Sequence, residues 1–270
     1  MRRATQLLSR SLNAAIMTRA ASRYRRATSG APVGLAPDPA ATPEAVAQVY
    51  GARCSGWLGY FGVHTWIAVK PAGARAYTTY EMIDWRLRRS GSAVAIRKRA
   101  PDARCGGNAP VILANKRGDG VDALIERIDK AAREYPYAGK HAAWRGPNSN
   151  TFTAYVARAV PDLGLDLPPT AIGKDYLGDR LYATAPSGGG FQLSLFGLLV
   201  SGVEGFEVNV LGLTFGIDPF SPALRLPARR PLRSSSPGRL RRFRRARRRF
   251  SRQLRRAVGP PGRPLRSPVV

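Results

Sequence analysis

Two residue types that can perform acyl transfer stand far apart in the chain, a histidine in "VHTWIAVKP" (His64) and a serine in "RGPNSNTF" (Ser149). A serine hydroxyl is a weak acid, so it attacks a carbonyl only when a base such as an imidazole takes its proton. The amphipathic pattern after Asn148-Ser149-Asn150 predicts a helix that begins there. Free backbone N–H groups at a helix start can stabilise an oxyanion, but Ser and Asn are also common caps. Residue types alone therefore leave Ser149 as either a cap or a nucleophile.

A third group would be needed to orient the imidazole. Tyr77, Thr79 and Glu81 stand at alternate positions of the strand predicted after His64, so they share one face. Glu81 is chemically the best partner for the second imidazole nitrogen, while an exposed strand glutamate is the alternative interpretation. The other histidine, His141, lies in a predicted loop and is interpreted as a surface residue.

The positive charge of the chain belongs to its two ends. The 270 residues carry a formal net charge of +27, yet residues 1–28 hold seven Arg and 229–270 hold sixteen, with no acid in either segment. We therefore predict a disordered basic leader and linker over 1–41, one domain over 42–228, and a disordered Arg-rich tail after it. Such arms can bind polyanions or anionic membranes without specificity. No nucleic-acid recognition module accompanies them, so no specific nucleic acid is expected as a partner.

The sequence supports no cofactor. Two histidines and two cysteines, Cys54 and Cys105, show no metal-ligand spacing, so neither a zinc site nor a haem is predicted. The cysteines are interpreted as small buried residues or a chance pair. No run of eighteen uncharged apolar residues occurs, so no transmembrane helix is expected.

Hydrophobic periodicity predicts the elements that must position the candidate residues. Thr42-Pro43-Glu44 is typical of a helix start, because Thr can cap and Pro suits the first turn. Four strands are predicted, over 63–71, 76–87, 92–99 and 110–118. Two helices are predicted, one ending before Pro136 and one running from 149 to about 160. The apolar stretches 190–200 and 205–217 predict a hairpin of two long strands.

Several of these segments together resemble a known family. Across about residues 45–226, including "YGARCSGWLGYFGVHTWIAVKP" and "RGPNSNTFTAYVARAV", the chain resembles a bacterial family catalogued as domain of unknown function 3750. That family is similar, in motif order, to circularly permuted papain-like proteins such as lecithin:retinol acyltransferase-type enzymes and bacterial cell-wall hydrolases. In those proteins a His opens a strand, and Asn-Cys-x-x-Phe later opens a helix. His64 and "NSNTF" stand at these places, with Ser149 instead of the cysteine.

The resemblance implies an α+β fold. It would consist of a permuted papain-like core with an antiparallel sheet and packed helices, an apolar β-hairpin and flexible basic termini. In that core Ser149 would be the nucleophile and His64 the base, and Glu81 is the candidate for orienting the imidazole. The expected substrate contacts are Asn148, Asn150 and Trp66.

Two functions follow from the resemblance. One is a Ser/His hydrolase or acyltransferase that acts on an amide or ester. The alternative is a non-catalytic binding domain, or an envelope-associated structural domain, that has lost the cysteine nucleophile. The expected partner is a small molecule or peptide, and the expected location is the cell envelope or a membrane surface.

Overall fold

A five-stranded antiparallel sheet carries the candidate residues His64, Trp66 and Glu81. The structure is a computed structural model, which describes residues 31–54, 59, 62–144 and 146–178 in full and the backbone of six later strands. The first five strands are β1 (Val46–Arg53), β2 (Val63–Lys70), β3 (Thr78–Met82), β4 (Val94–Lys98) and β5 (Val111–Arg117). They lie in the order β4-β3-β2-β1-β5, so β2, which contains His64, is central.

The first strand replaces an expected helix. The prediction of a helix starting at Thr42-Pro43-Glu44 is wrong, because the chain enters β1 two residues later and pairs with both β2 and β5. Val46 to Ala52 are buried without a break. A strand that is buried on both faces shows little alternation of apolar and polar residues. The sequence therefore favours a helix here, because only the capping residues give a clear pattern.

Three helices accompany this sheet: α1 (Asp84–Ser90), α2 (Val121–Arg133) and α3 (Ser149–Ala159). The strand predicted over 76–87 is half wrong, because β3 ends at Met82 and α1 follows. Asp84 suits the positive end of the α1 dipole, and Gly91 ends the helix in the left-handed conformation, with φ of 70°. The helices predicted before Pro136 and from Ser149 are confirmed.

The sheet separates two layers of side chains. On the side that we call the helix face, residues such as Val49, Ile67 and Tyr80 pack with α2 and α3. On the other side, which we call the loop face, Tyr50 and Trp66 pack with Tyr77 and Cys105. The division follows from the strands, because successive side chains point to opposite faces.

Residues 32–37 cover part of the loop face. The backbone N–H groups of Leu35 and Ala36 donate to the Asp102 carboxylate at 2.6 and 3.2 Å, and the Tyr77 hydroxyl donates to the carbonyl of Pro37 at 3.1 Å. This part of the predicted linker over 1–41 is therefore bound to the domain. The predicted leader before residue 31 and the Arg-rich tail after 228 lie outside the described residues.

The later strands form a second antiparallel sheet. Its strands are β6 (Tyr182–Thr184), β7 (Phe191–Leu195), β8 (Leu198–Gly202), β9 (Phe206–Val210), β10 (Leu213–Asp218) and β11 (Ala223–Arg225), and each pairs with the next. The predicted hairpin of two long strands is thus wrong in detail, because each apolar stretch supplies two short strands. A glycine stands between the two strands of each stretch, Gly197 and Gly212, and glycine weakens a strand interior. The fold is α+β.

Candidate functional site

The cap of α3 is Asn148. Its Oδ1 accepts hydrogen bonds from the backbone N–H groups of Asn150 at 3.0 Å and Thr151 at 3.2 Å. In return, the Thr151 hydroxyl accepts the backbone N–H of Asn148 at 3.1 Å, which completes a capping box. Ser149 is the first helical residue instead. The cap interpretation of Ser149 is therefore wrong.

The amide of Asn148 is fully used within the fold. Its Nδ2 donates to the carbonyls of Ala143 at 3.1 Å and Ile172 at 3.0 Å. Gly173 permits this approach, since a Cβ there would lie 2.6 Å from Nδ2 of Asn148. The predicted substrate contact of Asn148 stays a prediction, and its hydrogen bonds hold the start of α3 in place.

Asn150 ties the same helix start to β2. Its Nδ2 donates to the carbonyls of Val63 at 3.0 Å and Ile172 at 2.8 Å, while its Oδ1 accepts the Thr65 hydroxyl at 3.0 Å. The oxygens of Thr65 and Thr153 also lie 3.0 Å apart. These buried bonds place the first turn of α3 on the helix face beside the start of β2. A substrate contact of Asn150 likewise stays a prediction.

Ser149 keeps its polar groups available. Within the described chain neither its hydroxyl nor its backbone N–H makes a hydrogen bond, because Asn148 caps the next two residues; only the Ser149 carbonyl accepts a bond, from Thr65 at 3.4 Å. The enclosed side-chain polar atoms without a partner in that part of the chain are His64 Nε2, Tyr135 Oη and His141 Nδ1. The Ser149 hydroxyl is not one of them, so it retains contact with solvent.

His64 leaves β2 on the loop face. Its neighbours Val63 and Thr65 point to α3, whereas its ring centroid lies 5.8 Å from that of Trp66 and its Nε2 lies 3.5 Å from Oε2 of Glu81. No hydrogen bond joins His64 to Ser149 among the described residues. The structure thus brings His64 into contact with Glu81, and the pairing of His64 with Ser149 stays a prediction.

Glu81 is buried, with 3% of its side chain exposed, so the alternative of an exposed strand glutamate is wrong. Its Oε1 lies 2.5 Å from Nη2 of Arg97 and 2.9 Å from Nη1 of Arg99. Burial by itself raises the pKa of Glu81. The contact with His64 and the charges of Arg99 and Arg97 outweigh burial and lower that pKa from 4.5 to about 2. Glu81 is therefore ionised at neutral pH.

Trp66 lies in the packing of the loop face. Its ring stacks on Tyr50 with centroids 5.7 Å apart, and its Nε1 donates to the carbonyl of Pro101 at 2.7 Å. The side chain is buried and its single donor is used. The predicted substrate contact of Trp66 stays a prediction.

The interpretation of His141 as a surface residue is wrong. Only 11% of its side chain is exposed, and its Nδ1 lies 3.8 Å from Oδ1 of Asp84. Burial lowers the pKa of His141, the Asp84 charge raises it, and the charge of His64 lowers it, with a net decrease from 6.5. The sequence does not indicate a role for Asp84, because the strand predicted over 76–87 includes this residue. The sequence feature that could have indicated His141 as a candidate is its position shortly before Ser149 in the chain.

No disulfide joins Cys54 and Cys105 in the part of the chain that the structure describes. Burial raises the pKa of Cys54 to about 12, and the nearby Cys105 adds to the increase. Cys54 therefore lacks the acidic thiol of a nucleophile. Among the described residues, no group of three or more His, Cys, Asp or Glu side chains is arranged to hold a metal ion. No helix there is long and apolar enough to cross a bilayer.

Comparison with known protein families gives a match to the first sheet and its helices. A family model described as "Protein of unknown function (DUF3750)" matches residues 44–176. This range contains the five-stranded sheet, the three helices and both histidine–carboxylate contacts, and it ends before the six later strands. No curated protein and no solved structure matches the chain. Through residues 44–176, the chain belongs to the DUF3750 family.

Proposed function

We propose that the domain hydrolyses or transfers the acyl group of an amide or ester, with Ser149 as the nucleophile. The observation that carries the proposal is the state of Ser149. It is the first residue of a buried helix, and its hydroxyl and backbone N–H make no hydrogen bond within the described chain because Asn148 does the capping. A nucleophile needs such an available hydroxyl, and an oxyanion needs such an available N–H.

The same proposal includes a permuted papain-like fold. The order of elements supports it: an antiparallel sheet with His64 near the start of β2, then a helix that begins at "SNTF" and buries Phe152. In such a fold the residue at the helix start performs the attack. Ser149 occupies the place of the cysteine, so its reaction depends more strongly on a base than that of a thiol does.

The chemistry follows from this position. Ser149 Oγ attacks the carbonyl carbon, and its proton passes to an imidazole as the C–O bond forms. The carbonyl oxygen becomes an oxyanion that the Ser149 N–H and the α3 dipole stabilise. When the intermediate collapses, the C–N or C–O bond breaks and the imidazole returns the proton to the leaving group. Water, or an acceptor alcohol or amine, then releases the acyl group by the same steps.

Labelling with a serine-reactive fluorophosphonate tests the proposal. We expect the natural protein to be labelled on the peptide that contains Ser149, and the Ser149→Ala variant not to be labelled. Ser90→Ala is the matched control, because Ser90 is an exposed hydroxyl at the end of α1. Equal labelling of all three proteins, or no labelling of any, would contradict the proposal.

A second candidate is a binding domain without catalysis. The observation that favours it is the contact of His64 with Glu81 on the loop face, since no hydrogen bond joins His64 to Ser149 among the described residues. A domain that had lost its cysteine would keep the fold and bind a peptide or small molecule in the former cleft. Absence of fluorophosphonate labelling in the folded natural protein is the outcome that this candidate predicts.

A further inference from the structure

We propose that His141, oriented by Asp84, is the base that serves Ser149, in place of His64. The inference rests on the proposed function of Ser149 and deepens it. It assigns the catalytic proton transfer to His141 and gives Asp84 the part of a positioning residue.

The first argument concerns the face of the sheet. Tyr80 and Met82 of β3 point to the helix face, where they pack with α2 and α3. Ile83 continues the extended backbone, with φ of −130° and ψ of 119°. Because side chains alternate along extended chain, Asp84 returns to the helix face. His141, which contacts Asp84, is thereby placed on the side of the sheet where α3 packs.

The second argument concerns the end of the sheet. β2 and β3 are antiparallel and their pairing ends with Ile67 opposite Tyr80, so the chain that continues from β3 into α1 runs toward the end of β2 at which Val63 lies. The carbonyl of Val63 accepts a hydrogen bond from Asn150, at the start of α3. Asp84 and the residue after Ser149 therefore flank the same end of β2.

The third argument concerns the loop that leads into α3. The backbone N–H of Ala142 donates to the carbonyl of Pro147 at 2.8 Å, and Asn148 Nδ2 donates to the carbonyl of Ala143. The loop thus doubles back on itself. The residues beside His141 lie against the residues that precede Ser149.

The orientation of the His141 imidazole suits a base. Nδ1 is enclosed and faces Asp84, whereas Nε2 is not among the enclosed unpartnered atoms of the described chain, so it remains open for a proton. The nearby charge of Asp84 can stabilise the imidazolium formed when Ser149 gives up its proton. Asp84 has only one further ionic contact there, with the 71% exposed Arg88 at 3.8 Å.

The other histidine contacts a different carboxylate. The Nε2 of His64 is enclosed on the loop face against Glu81, whose carboxylate already contacts Arg97 and Arg99. Burial favours the neutral imidazole in His141, which is the form that accepts a proton. The nearby Asp84 opposes this effect of burial on the pKa of His141, and His64 adds to it.

The decisive experiment uses a thiol as reporter. In a Ser149→Cys protein, the rate of alkylation by iodoacetamide is measured against pH, with the modified peptide identified by mass spectrometry. Cys54 and Cys105 report separately in the same spectra. A thiol beside a histidine is more acidic than a free one, so we expect its pKa to lie below the ordinary value of about 8.5.

Histidine variants in this background identify the base. We expect His141→Ala to slow alkylation at neutral pH by about tenfold, and free imidazole in the buffer to restore part of the rate. Asp84→Asn should shift the pH profile upward with a smaller loss of rate. His64→Gln should slow the reaction less than either His141 variant does. His141→Gln serves as a second variant if the alanine lowers the melting temperature.

The outcomes separate the two proposals. If His64→Gln slows the reaction and neither His141 variant does, His141 is not the base, while the proposal for Ser149 stands. If the pKa of the introduced thiol is about 8.5 and substitution of neither histidine changes its alkylation rate, the proposed function itself is overturned.

Discussion

His64 and Thr65 are consecutive residues of β2, yet their side chains contact opposite sides of the sheet. The Thr65 hydroxyl lies 3.0 Å from the Thr153 hydroxyl of α3, while His64 Nε2 lies 3.5 Å from the carboxylate of Glu81. A shift of one position in a strand reverses the face of a side chain. His64 lies at the end of β2 beside which α3 begins, but the register decides which neighbour its imidazole contacts.

The capping box predicts unequal effects of two adjacent substitutions. Asn148→Ala removes two bonds to backbone N–H groups and two to carbonyls, all at a buried helix start, so we expect a loss of about 2–3 kcal/mol in the free energy of unfolding. Ser149→Ala removes no hydrogen bond of the described chain and should change that free energy by less than about 0.5 kcal/mol. Urea unfolding of both variants measures the difference. A larger loss in Ser149→Ala would show that Ser149 helps to cap α3.

The lowered pKa of Glu81 predicts that the stability of the protein depends on pH. Its pKa is about 2 in the folded protein and 4.5 as its ordinary value, so the folded state favours the ionised form. This stabilisation, about 3 kcal/mol, is complete above pH 4.5 and is lost as the pH falls through 2. The natural protein should therefore be more stable than Glu81→Gln at neutral pH.

The pH profile of that difference is the measurement. Unfolding by urea at several pH values should give a gap between the two proteins that narrows steadily from about pH 5 to pH 2. Glu126→Gln is a suitable control, since Glu126 is an exposed residue of α2. A gap that stays constant with pH would mean that the Glu81 carboxylate contributes through its packing and not its charge.

Cys54 and Cys105 should be unreactive in the folded protein. Burial raises the Cys54 pKa to about 12, so almost no thiolate is present at pH 8. A chromogenic disulfide reagent at pH 8 should release little colour from native protein, and two equivalents after denaturation. Rapid reaction of one native thiol would place that cysteine in an open environment and would require its removal before the Ser149→Cys experiment.

The sequence predicts most elements of the first sheet because local patterns determine them. β2 alternates along "VHTWIAVK", and α2 places apolar residues at helical spacing, so both are found where expected. β1 was missed because burial on both faces removes the alternation. The break between β3 and α1 was missed because Asp84 follows β-forming residues without a glycine or proline to mark it.

The site is harder to predict because it depends on contacts between distant residues. Local sequence predicts that α3 begins at Ser149. The hydrogen bonds that hold the amide of the Asn148 cap depend on the positions of Ala143 and Ile172. The burial of His141 depends on α1, an element that the sequence did not reveal. A loop has no hydrophobic periodicity from which the burial of a histidine could be predicted, so only the tertiary structure shows that His141 is buried.

The N-terminal boundary of the domain gives the last prediction. Removing residues 1–30 should leave the melting temperature unchanged, because their composition is typical of a disordered segment. Removing 1–41 should lower it, because Asp102, only 2% exposed, would lose the N–H groups of Leu35 and Ala36. A buried carboxylate without its donors costs about 1–3 kcal/mol. The Asp102→Asn variant of the longer chain is the matched control, since it weakens the same contact without removing the segment. Equal melting temperatures for the two truncated chains would show that residues 31–41 add nothing to stability and that the domain begins near residue 42.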